Sequence, residues 1–225
     1  MDQQTLWKAI DRQRQLAVDI VRDLSAQEWE AQSLCDLWKV RDVAAHLTFP
    51  LMGVPQMAAM ALRSPRAAVA GTNALIAQGA VSIARRHSRD EITDRMQRTV
   101  GGRRTIPGLG VEEMLVDILG HGFDITAPLG RPYPTVVDDL VVAADHVIGY
   151  HGNKNSKVFE QLPLDGLRLS AVDTRWTHGR GAEVRGSMAD LYLLLVGRTP
   201  GLATLTGDGA DELRSRVGQR STAAR

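Results

Sequence analysis

A single cysteine, Cys35, among 225 residues excludes an internal disulfide and any metal site built from several cysteines. A metal held by this chain must therefore take histidine and carboxylate ligands. No apolar run approaches the ~20 residues needed to cross a bilayer, so no membrane partner is expected. An excess of one charge is missing as well. The 27 Lys+Arg and 26 Asp+Glu leave a net charge of +1 at pH 7, which argues against nucleic acid as a partner. The opening MDQQTLWKAI has neither the basic n-region nor the apolar h-region of a signal peptide, and a cytoplasmic location is the expectation. Internal repeats and low-complexity segments are also lacking. The composition, 44% hydrophobic and 24% charged, is that of a soluble globular protein.

The first two-thirds of the chain is helical in period. Leu6, Ile10, Leu16, Val18, Ile20, Val21 and Leu24 give one long amphipathic face uninterrupted by glycine or proline. SAQE then has the form of a capping box, Ser25 with Glu28, which opens a short helix. A second long helix is expected just after Trp38, through VRDVAAHLTFPLMGVPQMAAMAL, with Pro50 and Pro55 each kinking or ending it. Further helices are expected over residues 73–87, from the capping box Ser88/Glu91, over residues 111–128 and over residues 135–150. GGRRTIPGLG reads as a loop. Beyond the polar run GNKNSK the pattern changes: DGLRLSAVDTRW alternates as a strand, HGRGAEVRG is turn-rich, and MADLYLLLVGR and GDGADELRSRV return to helix. The expected architecture is mainly α: a helix bundle over residues 1–152, then a small α+β domain over residues 158–225.

Residues four apart on a helix lie one above the other, so Asp117 and His121 can grip one ion together, with Asp124 close to the same line. A catalytic zinc usually takes three protein ligands, so the third must come from another helix. His46, in the apolar stretch VAAHLTF, is the candidate, since an unpaired imidazole there is buried at a cost. Two histidines and one carboxylate also suit non-haem iron. The plainer reading makes His46 a hydrogen-bonded core residue and the Asp117/His121 pair a solvated helix face. Gly120 and Gly122 favour the ligand reading by clearing space beside a bound ion, although they could also simply allow close helix packing. Asp42 likewise precedes a histidine by four, but its place in the first helical turn is explained by the helix dipole. Cys35 has no activating neighbour in sequence and reads as a buried structural thiol. Met52, Met57 and Met60 either line an apolar substrate site or fill the core.

These residues carry a resemblance. LWKVRDVAAHL resembles the W-[ST]-x-x-D-x-x-x-H-L signature of the mycothiol-dependent maleylpyruvate isomerase family, in the DinB-like metalloenzyme superfamily. DILGHGFDITAPLG is similar to that family's second signature, E-x-x-x-H-G-x-D-I, and the C-terminal segments GLRLSAVDTRW, HGRGAEVRGSMADLYLLLVGR and LTGDG follow in the family's order. The resemblance implies a DinB-like four-helix bundle with a small C-terminal α+β domain. It implies a divalent metal, zinc being the family's usual ion, held by His46, Asp117 and His121. Asp124 matches the family's following aspartate and is expected to orient a ligand of the cofactor site, with a helix-surface role as the alternative. Two positions depart from the pattern: Lys39 replaces a Ser or Thr N-cap, and Asp117 replaces the usual Glu, one methylene longer.

The implied activity is an isomerase or S-transferase. A metal-held thiol, mycothiol, is deprotonated and adds to a small electrophile. Arg198 in LLLVGRTPG is the candidate catalytic cation for a substrate carboxylate, against an ordinary surface salt bridge. The expected partners are a small-molecule thiol and electrophile, and a homodimer is the base-rate expectation. A non-catalytic metal-binding or regulatory DinB-like protein is the alternative.

Overall fold

In the computed structural model, which describes residues 2–149 and 162–223, the chain divides into two compact units, Met1–Pro134 and Thr135–Arg225. The first unit opens with α1 (Gln3–Asp23), capped by Asp2, whose carboxylate accepts from the Thr5 amide at 2.9 Å. Its apolar face is buried through Leu6, Ile10, Val18 and Val21, and Arg14 is buried in the same row. Burying each aliphatic side chain contributes roughly 1.5–3 kcal/mol before chain entropy is counted. The Ser25/Glu28 capping box forms in both directions and starts α2 (Ala26–Trp29).

The second long helix is shorter than its sequence pattern suggests. α3 (Val40–His46) stops at His46, and Pro50 lies in a separate 3-10 turn, Phe49–Leu51. α4 (Val54–Arg63) then begins afresh with Pro55 in its first turn, where the missing amide costs nothing. Pro50 thus follows the end of one helix and Pro55 opens the next, so neither kinks a continuous one. α5 (Pro65–Ala70), which the sequence pattern did not indicate, is followed by Gly71 at φ 112° and α6 (Thr72–Arg86). The Ser88/Glu91 box opens α7 (Arg89–Gln97), and a loop over 98–110 leads to α8 (Val111–Thr126). α1 packs on α7 and α8, while α3 packs on α6, α7 and α8.

The second unit contains α9 (Val137–Ile148), a three-stranded sheet, α10 (Met188–Leu195) and α11 (Ala210–Ala223). The domain boundary expected over 152–157 lies outside the described residues. α9 is grouped with the second unit, where it packs on α10 and its Asp145 accepts a 2.9 Å bond from Trp176 Nε1. The sheet order is β2-β1-β3, with β1 (Leu167–Ala171) antiparallel to β2 (Thr177–Gly179) and parallel to β3 (Ala182–Gly186). The stretch HGRGAEVRG therefore holds two short strands where turns were expected. Its only fully buried apolar side chain is Val184, so backbone pairing with β1 defines these strands more than any hydrophobic alternation. Among the described residues no helix is long and apolar enough to cross a membrane.

Candidate metal centre

The site is assembled where α3 and α8 meet. α3 starts at Lys39, which makes no side-chain cap; instead Asp42 reaches back and accepts from the Lys39 amide at 2.9 Å. That bond supplies part of what a Ser or Thr cap would give, and it accounts for Asp42 without a metal. At the other end of α3, His46 is buried. α8 carries acidic Glu112 and Glu113 in its first turn and buries Leu115, Ile118 and Leu119, which leaves Asp117 and His121 one turn apart at the surface facing α3.

The ligand atoms converge. His46 Nε2 lies 3.1 Å from Asp117 Oδ1, and His121 Nε2 lies 3.6 Å from the same oxygen. All three donors fall within 4.8 Å of one another. In a tetrahedral zinc site with bonds near 2.0–2.2 Å, neighbouring ligand atoms sit ~3.3–3.6 Å apart, so the donor set fits a divalent ion. Behind it, Asp124 is wholly buried, and its Oδ2 accepts from His121 Nδ1 at 2.8 Å. A proton fixed on Nδ1 leaves the Nε2 lone pair turned towards Asp117 and His46, the tautomer a metal ligand requires. His46 Nδ1, by contrast, is buried with no hydrogen-bond partner.

Charge balance depends on these contacts. Burial alone disfavours the His121 imidazolium, but the Asp124 hydrogen bond, contact with Cys35 and the charges of Asp117 and Asp124 outweigh it. In the metal-free chain they push its pKa up to about 10. Burial would likewise raise Asp117, yet His46, His121 and Arg14 together hold its carboxyl below the ordinary value. Arg14 is itself fixed by donating to the Thr99 and Gly102 carbonyls at 2.8 and 3.2 Å. It also lines a recess of about 10 Å³ against Asp117, with room for a single water. Trp38 and Phe49 wall the histidines, with ring centroids 5.1 and 4.7 Å from that of His46.

Several sequence readings change here. Gly122 does not clear space for an ion: a Cβ there would come within 2.1 Å of Tyr133 Cζ, so the glycine admits the tyrosine ring. Cys35 is half-buried, and its Sγ–H donates to Asp124 Oδ2 at 3.0 Å, held there by the Leu34 amide bonded to the Asp124 carbonyl. Cys35, His121 and Asp124 form a second group of possible ligands. Their atoms are already hydrogen-bonded to one another through the fully buried Asp124 carboxylate. Arg198 belongs to the second unit, where its Nη1 donates to the Val196 carbonyl at 2.6 Å. Sequence reasoning missed Arg14, although it stands in the row Leu6, Ile10, Val18 where an apolar residue is due. Cys35 sits in an irregular stretch without periodicity and gave no signal.

A family model described as the mycothiol maleylpyruvate isomerase N-terminal domain matches residues 10–125, more than half of the chain. The chain belongs to this family. The matched segment includes His46, Asp117, His121 and Asp124. Among solved structures, the chain is similar to a histidine-to-alanine mutant of the mycothiol-dependent maleylpyruvate isomerase, at 12% identity over 93% of this chain and 94% of that one, with a TM-score of 0.54. A second structure of the mycothiol-dependent maleylpyruvate isomerase matches over the same shares at 13% identity and a TM-score of 0.49. At such identity the first likeness shows the fold: a mainly helical chain with a small sheet. No curated protein matches.

Proposed function

We propose that this chain is a divalent-metal-dependent isomerase or S-transferase that joins a low-molecular-weight thiol, mycothiol, to a small electrophile. The observation that carries the reading is the convergence of His46, Asp117 and His121, with Asp124 fixing the ring of His121, inside the segment the family model covers. His46 and His121 would hold the ion through Nε2 and Asp117 through its carboxylate; zinc is the ion proposed. When bound, such an ion supplies the charge that keeps a coordinated thiol deprotonated at neutral pH.

The chain's own residues do the rest. Asp124 holds the proton on His121 Nδ1, Arg14 sets the charge beside Asp117, and Trp38 and Phe49 keep water from one side of the histidines. Maleylpyruvate, named for the solved relatives, is the first electrophile to assay.

Elemental analysis of the purified protein, followed by turnover with mycothiol and a panel of unsaturated electrophiles, tests the reading. The expected result is about one divalent ion per chain, lost in His46→Ala and His121→Ala, with activity lost alongside it. Full metal occupancy in both variants would refute the ligand set. Metal and thiol binding without turnover on any electrophile would make the chain a non-catalytic, regulatory member of the family.

A further inference from the structure

Away from the metal ligands, α4, α6 and α7 enclose an open groove of about 520 Å³, within the ~300–1,000 Å³ range of small-molecule sites. Its floor is apolar, formed by Met52, Met60 and Ile83. Met60 is seated against Gly79, where a Cβ would come within 2.1 Å of its sulfur, so the glycine keeps the floor low. Its rim is cationic. Arg63, Arg86 and Arg95 all line it, and among the described residues none has a carboxylate within ion-pair distance. Arg86 spends only its Nε, donating to the Ser82 carbonyl at 3.0 Å.

Arg95 is the most telling of the three. Its Nε is buried with no hydrogen-bond partner, a state that native structures avoid unless an acceptor arrives from elsewhere. Burial first, and then repulsion from Arg98, lower its pKa, with Glu91 opposing. Glu91 is itself engaged at the Ser88 cap and lies 3.7 Å from His87, which also faces the groove. The groove thus combines methionine and isoleucine surface with guanidinium donors lacking anions.

We infer that this groove binds an organic anion with a hydrocarbon body, its head group on Arg63, Arg86 and Arg95 and its body on Met52, Met60 and Ile83. The inference is independent of the function proposed for the metal ligands. Guanidinium forks pair with carboxylate or phosphate in two-pronged fashion, while adaptable methionine side chains accept a flexible chain.

Isothermal titration of the full chain with decanoate, decyl phosphate, decanol and decyltrimethylammonium tests it. Decanoate or decyl phosphate should bind, and the stronger of the two identifies the head group. Decanol should bind at least ~10-fold more weakly and the cation not at all. Arg63→Gln with Arg95→Gln should weaken anion binding by at least ~10-fold, the loss expected for one charge-assisted hydrogen bond. Ala59→Trp, which fills the groove, should block binding, and His46→Ala should leave it intact. The inference is overturned by no anion binding, by equal binding of decanol, or by unchanged affinity in arginine variants that melt like wild type. Loss of binding in His46→Ala would place the anion at the metal ligands instead. Sedimentation showing that the arginine substitutions split a dimer would make the groove a contact between copies of the chain, which also overturns it.

Discussion

Asp124→Asn isolates the carboxylate behind the metal ligands. The side chain is wholly buried and of nearly unchanged volume in the variant, so no cavity term enters. What changes is charge and acceptor capacity at Oδ2, which takes His121 Nδ1–H at 2.8 Å and the Cys35 thiol at 3.0 Å. If the amide oxygen occupies that position, His121 keeps a neutral hydrogen bond and loses about half of the ~1.5–3 kcal/mol of a charged one. If the amide nitrogen does, donor meets donor, and the His121 proton is driven towards Nε2, where the ion needs a lone pair. Either way metal affinity should fall by ~10–100-fold, equivalent to ~1.4–2.7 kcal/mol. Competition with a chromogenic chelator measures this directly.

A second readout comes from the metal-free protein. His121 has its folded pKa raised to about 10, so its stabilisation is fully present below its unfolded value of 6.5 and is lost as pH rises through about 10. The urea midpoint of chelator-treated wild type should therefore decline across that window, and Asp124→Asn should flatten the decline. A variant within about threefold of wild-type metal affinity and with an unchanged pH profile would refute the assigned role of Asp124.

Other substitutions have equally definite outcomes. Gly122→Ala should lower stability by ~1–3 kcal/mol in a thermal melt despite alanine's better helix propensity, because its Cβ would meet Tyr133 at 2.1 Å; an unchanged or higher Tm would contradict that packing. Arg14→Met keeps bulk but removes the charged donor from the Thr99 carbonyl, which keeps the Gly102 amide, and from the Gly102 carbonyl, which keeps Arg103, and should cost ~1.5–3 kcal/mol in denaturant titrations. Glu28 is held down to about 2, chiefly by Arg131 and then by the Ser25 cap; its contribution is present above 4.5 and lost as pH falls through about 2. The stability gap between wild type and Arg131→Gln should accordingly be open at pH 7 and close near pH 2, and a gap independent of pH would exclude this ion pair as its source.

Much of the first unit could be read from residue order because its signals are local. The Ser25/Glu28 and Ser88/Glu91 boxes need only neighbours three apart, and the Asp117/His121 spacing needs only helical period. What could not be read depends on partners distant in sequence. Gly122 is small because of Tyr133, and the Cys35 thiol matters because Leu34 bonds to the α8 backbone at Asp124. Arg14 stands between these cases: a charge in the row of Leu6, Ile10 and Val18 marks a buried cation, but only the fold shows it acting on Asp117. β3 escaped detection because a single buried valine carries no alternation, and pairing with β1 supplies its definition.

The brevity of α3 bears on how the metal ligands come and go. Seven residues are too few to persist as a helix in water, where even good helix formers need ~12–15. Val40, Val43, Ala44 and Ala45 are completely buried, so α3 exists only while α6, α7 and α8 hold it. His46 therefore cannot swing away by local fraying, as a residue at the end of a long autonomous helix could. The backbone amides of α3 should exchange with solvent only through the same opening that unfolds the whole unit. The three ligands are consequently presented together or not at all, and geometry at the ion becomes a cooperative property of the bundle.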